Sequence, residues 1–279
     1  MRKIEEMFFR GIMIGSSLII LGVLVFILGT VVIKGIPSLS WSMVTRIPEG
    51  GFYLGKEGGV LNAIVGSIYL IVGAVLISMV VSIPVVMFLN FHLNRKSFFT
   101  GFARLTFDVL FGIPSIVYGA FGFAIMIYLG IKASLLGGII AIAFLIIPIM
   151  IRSMDEVTCL VPMDLREAPL ALGATRFEAS KVIMRQIMPG ITTAILLATG
   201  RGIGDAATVL FTAGYTDSIP VSLNQPVASL PLAIFFQLAS PVEEVQNRAY
   251  ASALILTVII LILSFSGRYF GRKLSRHRI

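Results

Sequence analysis

The amino-acid sequence predicts an all-α integral membrane protein that crosses the bilayer with six helices. Of its 279 residues, 57% are hydrophobic and 13% are charged, whereas a soluble domain carries about 25% charged residues. The mean hydropathy is +0.98. Six stretches are apolar over the roughly 20 residues that a helix needs to cross a bilayer. Because these stretches occupy most of the chain, we expect no sizeable soluble domain.

The first predicted span covers residues 11–33 and follows a charged start, MRKIEEMFFR. It is longer than the apolar core of a secretory signal and has no small-residue cleavage site, so we expect it to be retained. The other five spans are expected at 60–90, 105–129, 131–151, 189–213 and 249–267. The predicted organisation is therefore a first helix with an external loop at residues 1–59, followed by a five-span domain at 60–279.

The distribution of lysine and arginine predicts that both termini are cytoplasmic. With the N-terminus inside, 16 of the 22 basic residues fall on cytoplasmic segments, as the positive-inside rule requires. This topology accounts for the net charge of +8 without a nucleic-acid partner. It also places a long connector, at about residues 152–188, in the cytoplasm, and another long connector outside, before the sixth span. Connectors of this length usually have a function.

Several kinds of chemistry are not expected. Cys159 is the only cysteine, so no internal disulfide is possible, and His92 and His277 lie far apart with no metal-ligand spacing. Gly50–Lys56 spell the GxxxxGK pattern of a phosphate-binding loop. However, Glu57 stands where that loop needs Ser or Thr, and no strand precedes it. We therefore expect no metal site, no bound nucleotide and no cofactor.

The sequence of the cytoplasmic connector predicts a helical hairpin. From Pro162 it reads PMDLREAPLALGATRFEASKVIMRQIMPGI, in which Gly173 separates two helical segments. Asp164 and Glu167 have the spacing of a capping box at the start of the first segment.

One side of this hairpin is predicted to be apolar. Leu165, Ala168 and Leu172 recur at helical spacing. The charged residues in the same region are Arg166, Arg176, Glu178 and Lys181. An apolar face in water needs a covering surface, which is either a partner protein or the cytoplasmic ends of the chain's own spans.

Three ionisable residues, Asp108, Arg201 and Asp205, fall within predicted spans. Each costs about 2.5–3.5 kcal/mol at a helix centre, so each is a candidate functional residue. Arg201 and Asp205 are four residues apart and can pair on one helical face. The alternative is that Arg201 faces a polar pathway, where its planar donors suit a phosphate or a carboxylate.

Hydroxyl residues extend this candidate pathway. Thr208 and Thr212 are expected on the same face as Arg201, which predicts a polar stripe along the fifth span. In the third span, Pro114 and the glycines beside it break the apolar helix, and irregular backbone at that depth must be buried in protein or line a cavity. Ser115 is therefore a candidate anion contact, although simple kinking explains the pattern equally well.

The connector resembles the EAA loop of ABC importer permeases. Glu167, Ala168, Gly173 and the later Pro189 carry the likeness, while Pro169 stands where that family usually has alanine. In the family this loop docks into an ATPase. The resemblance therefore implies that Glu167, Ala168 and Gly173, together with Leu165 and Leu172, couple the chain to such a subunit.

Four further segments resemble the phosphate-transport permeases within that group. They read GGVLNAIVGS, GIPSIVYG, RGIGDAATVLFTAG and QPVASLPLAIF, in the family's order. The likeness is to the second of two homologous permeases, whose fifth span usually has Glu and Thr where this chain has Asp205 and Ala206. It implies a six-span, MetI-like type I importer fold. The implied partners are the sister permease, an ATPase dimer that hydrolyses ATP, an extracytoplasmic phosphate-binding protein and the membrane lipid.

Three alternatives stay open at this point. A permease for another oxyanion, such as molybdate or sulfate, differs only in substrate. An intramembrane aspartyl protease is suggested by Phe107-Asp108 and the GxGD string at residues 202–205. Against the protease, Arg201 lies one turn from Asp205, Asp108 is near the cytoplasmic edge, and no Pro-Ala-Leu sequence follows. A self-powered secondary transporter commonly has inverted repeats, and no clear internal repeat is present.

Overall fold

The computed structural model describes residues 2–49, 57–94 and 97–275. Across these ranges the chain is almost wholly helical, with one short antiparallel pair formed by β1 (Pro48–Glu49) and β2 (Glu57–Gly58). The GxxxxGK string, at residues 50–56, lies outside the described ranges. The expectation that it binds no nucleotide therefore stays a prediction.

The N-terminal helix α1 spans Arg2–Gly35 and contains the first predicted span. Among the described residues it packs chiefly through its C-terminal end, which meets α12 (Glu243–Ser275). Gly35 lies so close to α12 that a Cβ there would be 2.8 Å from the backbone carbonyl of Tyr250. A 3₁₀ turn (Ile36–Ser38) and α2 (Trp41–Thr45) then lead to the β pair. The apolar length of α1 therefore stands clear of the described core.

The core is built around α6 (Leu135–Cys159), which packs on α3 (Leu61–Met87) and α9 (Met188–Ile203). The largest side chains between these helices are fully buried: Leu70, Ile146, Met150 and Met154 are at most 2% exposed. Helix α3 continues into a π-helical segment, Phe88–His92. The second and fourth predicted spans are thus confirmed as helices, and both extend beyond their predicted cytoplasmic ends.

The third predicted span is not one helix. It is divided into α4 (Phe98–Gly112) and α5 (Ser115–Tyr128), which are bent by 98°. Ile113 is extended, as a residue before proline prefers to be. The Tyr118 hydroxyl donates to the carbonyl of Leu110 over 2.8 Å, so this carbonyl near the break has a hydrogen-bond partner. The predicted irregularity at Pro114 is confirmed, since the span expected at 105–129 is divided at this point.

The fifth predicted span also ends early. Helix α9 stops at Ile203, and a separate short helix, α10 (Val209–Thr212), follows. Asp205 causes the break in part, because its carboxylate accepts the backbone N–H of Thr208 over 2.8 Å and starts the next turn. A single helix over 189–213 is therefore wrong.

The long connector before α12 is part of the core. It contains α11 (Leu230–Leu238), and Val227, Ala228 and Leu230 are completely buried. The carbonyl of Ala228 lies where a Cβ on Gly66 of α3 would stand, only 1.9 Å away. The expected external loop is therefore a wedge between α3 and α12. Hydropathy alone does not distinguish such a wedge from a peripheral loop.

By length and composition, the described helices supply four single candidate spans and two bent pairs. One bent pair is α4 with α5; the other is α8 (Arg176–Gln186) with α9, bent by 71°. The chain is therefore a helical, multi-pass membrane protein with four to six candidate spans.

Candidate functional site

Helix α9 presents a continuous exposed stripe. Its members are Thr193, Leu197, Gly200, Arg201 and Gly204. The spacing of four, three, one and three residues keeps them on one side of the helix. The opposite side, which includes Ile191, Ala194 and Ala198, is buried against α6 and α12. Arg201 therefore points away from the core.

Arg201 opens onto a cavity of about 440 Å³. The other lining residues are Leu110, Phe111, Ile113, Leu145, Ile149, Ser153 and Leu197. The cavity walls come from the end of α4, the middle of α6, and α9. Among the described lining residues, Arg201 is the only charged one. A guanidinium at such a cavity is suited to a bound anion, because its planar N–H donors match two oxygens of a carboxylate or phosphate.

Asp205 does not neutralise Arg201. No ion pair joins these two residues in the part of the chain that the structure describes. The Asp205 carboxylate instead caps the turn before α10 through the Thr208 N–H. The helix that was expected to place this pair on one face ends at Ile203, two residues after the arginine and before Asp205.

Thr208 and Thr212 are completely buried and do not extend the stripe of Arg201. The hydroxyl of Thr208 donates to the backbone carbonyl of Ser115 over 3.2 Å, and that of Thr212 donates to the carbonyl of Thr208 over 3.0 Å. Gly119 of α5 lies directly against this turn, since a Cβ there would be 2.7 Å from the Thr208 carbonyl. The predicted polar stripe is wrong, and these residues fasten α5 to α10 instead.

The cytoplasmic connector forms the predicted helical hairpin. Helix α7 (Met163–Ala171) and α8 contact each other across Gly173, which adopts φ +86° and so takes a conformation that favours glycine. The capping box is at Thr175 and Glu178, and not at Asp164 and Glu167 as predicted. Hydrogen bonds from Thr175 hold the pKa of the Glu178 carboxyl below its ordinary value. The first helix of the hairpin, α7, begins after Pro162, and no side-chain hydrogen bond caps its N-terminus.

The hairpin is anchored by a charged residue, and its predicted apolar face is not covered by the described part of the chain. Arg166 is only 7% exposed: its guanidinium donates to the carbonyl of Thr158 at the end of α6 and lies 5.7 Å from the centre of the Phe91 ring. Leu172 and Leu165 are exposed by 89% and 49%. Glu167, Ala168 and Gly173 are also exposed. The charged Arg166 therefore anchors the hairpin, while its leucines face outward.

Sequence reasoning missed a buried polar cluster beside this anchor. Arg104 of α4 contacts Asp155 of α6 through two hydrogen bonds, and Asn90 of the π segment donates to the same carboxylate over 2.6 Å. Cys159 lies 3.4 Å from the Arg104 guanidinium. The available signal was Asn90, an amide at the end of an apolar run. Its partners come from distant parts of the sequence, so spacing could not identify them.

Asp108 is paired elsewhere. Its carboxylate lies 3.0 Å from Arg152, which also contacts Glu156 at 3.3 Å. Asp205 is hydrogen-bonded on the α9–α10 turn. The two aspartates of the protease alternative thus have separate partners. Within the described residues, no group of three or more His, Cys, Asp or Glu is placed to hold a metal ion.

Comparisons with known proteins agree with this architecture. Residues 82–276 match the family described as "Binding-protein-dependent transport system inner membrane component". The phosphate transport system permease protein PstA of Haemophilus influenzae is 34% identical over 270 residues, which cover 96% of this chain and 94% of that protein. The phosphate transport system permease protein PstA 2 of Mycobacterium bovis is 32% identical over 252 residues, which cover 89% of this chain and 81% of that protein.

Two further comparisons extend the likeness. The probable ABC transporter permease protein YqgI of Bacillus subtilis is 28% identical, with 97% of this chain and 96% of that protein covered. Among solved structures, a chain of the MetNI methionine ABC transporter in an inward-facing conformation aligns with a TM-score of 0.62 at 16% identity, covering 77% of this chain and 95% of that one. The structural match shows the fold alone. The family match and the sequence relatives show that this chain, a membrane-embedded transport subunit, belongs to the binding-protein-dependent transport system inner membrane components, among the phosphate transport system permease proteins.

Proposed function

We propose that this chain is one of two homologous membrane-spanning subunits of an ATP-driven importer of inorganic phosphate. The permease relatives named for phosphate transport support the substrate. In this proposal the two bent helix pairs complete six spans and both termini are cytoplasmic. Residues 1–59 form the first span and its loop, and residues 60–279 form the transport domain.

The observation that carries the proposal is Arg201 at its apolar-walled cavity. The arginine is exposed on the α9 stripe and has no carboxylate partner among the described residues. A guanidinium offers parallel N–H donors that match two oxygens of a phosphate. We assign Arg201 to the translocation pathway, at the surface where the sister permease completes the cavity.

Asp205, Thr208, Thr212 and Ser115 have a positioning role beside this pathway. The backbone N–H of Thr208 donates to the Asp205 carboxylate, and the Thr208 hydroxyl donates to the carbonyl of Ser115. These two hydrogen bonds link the end of α9 to α10 and α5. Because the Thr208 and Thr212 hydroxyls already donate to carbonyls, they stabilise the pathway wall and do not bind the anion.

The hairpin of α7 and α8 is the surface that docks on the ATPase. Leu165, Leu172, Ala168 and Glu167 are its exposed contacts, and Gly173 sets the turn between the helices. Binding of ATP favours one of two states of the ATPase dimer, and the hairpin passes that preference to the spans. The further partner is an extracytoplasmic phosphate-binding protein that delivers the substrate.

The test is uptake of radiolabelled phosphate by the whole importer in proteoliposomes, with assembly and ATP hydrolysis measured in parallel. Arg201→Gln should assemble but lose about 10- to 100-fold in uptake, because charged hydrogen bonds are worth about 1.5–3 kcal/mol. Arg201→Lys should be intermediate, since it keeps the charge without the planar donors. Arg46→Gln, an exposed arginine outside this cavity, is the matched control.

Two outcomes would overturn parts of the proposal. Normal uptake by an assembled Arg201→Gln importer would remove this arginine from the pathway. Preferential uptake of molybdate or sulfate by the wild type would assign the chain to another oxyanion. Glu167→Ala tests the hairpin separately, because it should lower ATP hydrolysis coupled to transport while leaving the permease folded.

A further inference from the structure

A second cavity, of about 430 Å³, lies between α9 and α12. Its lining residues are Pro189, Thr192, Thr193, Leu196, Leu197, Ser264, Gly267, Arg268 and Gly271. Pro189 belongs to the first turn of α9, directly after the coupling hairpin. The cavity is therefore at the end of α9 that the proposed topology places at the cytoplasmic side.

This cavity is on the same stripe of α9 as Arg201. Leu197 lines both cavities, with Thr193 one turn before it and Arg201 one turn after it. Thr193 and Arg201 are eight positions apart, which corresponds to about 12 Å along an α-helix. An anion that leaves Arg201 along this stripe therefore passes Leu197 and reaches the second cavity.

The second cavity has the chemistry of an anion site. Among its described lining residues Arg268 is the only charged one, and the described part of the chain forms no ion pair with it. Ser264 adds a hydroxyl group to the same wall. The Thr193 hydroxyl donates to the backbone carbonyl of Pro189 over 3.0 Å, so Thr193 shapes the wall and does not bind the anion. None of the described lining residues is acidic, so no carboxylate among them repels a phosphate.

Glycines give the cavity its shape. Gly267 lies against Leu196 so closely that a Cβ there would be 2.2 Å from that side chain, which lets α12 approach α9. A Cβ on Gly271, one turn further along α12, would make only ordinary contact with Thr192, at 3.7 Å. The Arg268 side chain, which lies between these two glycines in the sequence, lines the space between the helices.

We propose that this cavity is an exit site, in which Arg268 binds a tetrahedral oxyanion after it leaves Arg201 and before it enters the cytoplasm. The inference rests on the proposed function, since it deepens the pathway assigned there. A site at this position is accessible from the cytoplasmic side. Phosphate accumulated in the cytoplasm should therefore occupy it and slow further import.

The test uses the whole importer in proteoliposomes with its cytoplasmic side inward, loaded with ATP and graded concentrations of inorganic phosphate. Internal phosphate should inhibit uptake by the wild type. Arg268→Gln should raise the half-inhibitory concentration about tenfold, as loss of one charged contact predicts. Arg268→Lys should give a smaller shift. Arg10→Gln, at the exposed N-terminal part of α1, controls for surface charge on the same side.

A labelling experiment tests occupancy without relying on transport. Thr193→Cys, made in a Cys159→Ser background, places a thiol in the cavity wall. Inorganic phosphate on the cytoplasmic side should slow its reaction with a thiol reagent, and adding Arg268→Gln should abolish that protection. Equal labelling rates with and without phosphate would overturn the exit site.

The same chemistry would suit the phosphodiester headgroup of a lipid, so both experiments are repeated in two vesicle compositions. An exit site predicts the same Arg268→Gln shift in phosphatidylcholine alone and in mixtures with phosphatidylglycerol. A shift confined to the anionic vesicles would make Arg268 a lipid contact and refute the proposal. Absence of all wild-type uptake would refute the proposed function, whereas normal uptake with no shift would refute only the exit site.

Discussion

Arg104 and Asp155 form a two-point ion pair, with Nε 2.9 Å from one carboxylate oxygen and Nη2 3.0 Å from the other. Asn90 donates to the same carboxylate over 2.6 Å, and the Asp155 side chain is only 4% exposed. The pair holds α4 against α6 at the end of the core nearest the hairpin of α7 and α8. Because the far end of α4 lines the Arg201 cavity, the pair connects the position of α4 to the shape of that cavity.

Replacing Arg104 by alanine should destabilise the protein by about 3 kcal/mol, because it leaves Asp155 as a buried charge without its partner. The measurement is the thermal unfolding of the assembled importer. Asp155→Asn should partly restore stability in the Arg104→Ala background, since the uncompensated charge is then gone.

The matched control for that pair is Arg152, which contacts Asp108 and Glu156 in a more exposed position. Arg152→Ala should cost less than about 1 kcal/mol, as exposed ion pairs do. Equal losses for Arg104→Ala and Arg152→Ala would show that burial does not set the strength of the Arg104 pair.

Gly173 provides a prediction about backbone strain. Its φ of +86° is unfavourable for residues with a Cβ, although a Cβ there would meet no atom within 4 Å. Gly173→Ala should therefore destabilise the hairpin by about 1 kcal/mol through conformation alone. Gly173→Asn should cost less, because asparagine tolerates this conformation better.

Gly101 is the control for Gly173, since its Cβ would also meet nothing, but it lies within helix α4. Gly101→Ala should stabilise the protein by up to about 1 kcal/mol, the difference in helix propensity. Hydrogen exchange in each segment measures both effects, and a change of the same sign at the two sites would contradict the assignment to backbone conformation.

Much of the architecture could be predicted from the sequence because apolar length is a strong signal. The span predicted at 60–90 corresponds closely to α3 and its π segment, and most of the span predicted at 131–151 lies within α6. The hairpin also breaks at Gly173, as expected. These predictions depend on local properties: hydropathy, glycine and the interruption of a helical pattern.

What could not be predicted depends on contacts between distant residues. Asp205 follows Arg201 at helical spacing, yet its carboxylate caps a new turn that Ser115 helps to hold. In a chain that is apolar on most faces, hydropathy does not distinguish a lipid-facing side from a buried one. The burial of Arg166 and of the wedge around Ala228 was therefore missed.

Gly66 tests the wedge. A Cβ at this position would be 1.9 Å from the carbonyl of Ala228 and 2.6 Å from the side chain of Val227. Gly66→Ala should therefore displace the segment before α11 and lower the free energy of unfolding by about 1–3 kcal/mol, the usual cost of overpacking. Gly15→Ala is the control, because that glycine in α1 has no neighbour within 4 Å. Unchanged stability in Gly66→Ala would show that the wedge is not packed against α3 as described.

The outward leucines of the hairpin give the final prediction. Leu172 is 89% exposed, so Leu172→Asp removes little packing within the chain itself. It should nevertheless weaken assembly with the ATPase by about tenfold, because a charge then replaces an apolar contact at the docking surface. Co-purification of the permease with the ATPase measures this effect.

Val221 is the matched control for Leu172, since it is equally exposed, at 87%, but lies in the connector before α11. Val221→Asp should leave ATPase assembly unchanged. Arg166→Ala should act in another way: it loosens the anchor at Thr158 and Phe91, so the hairpin still binds the ATPase but transport per ATP falls. If Arg166→Ala instead lost assembly while Leu172→Asp retained it, the ATPase would bind the inner face of the hairpin, and the outward leucines would have no part in docking.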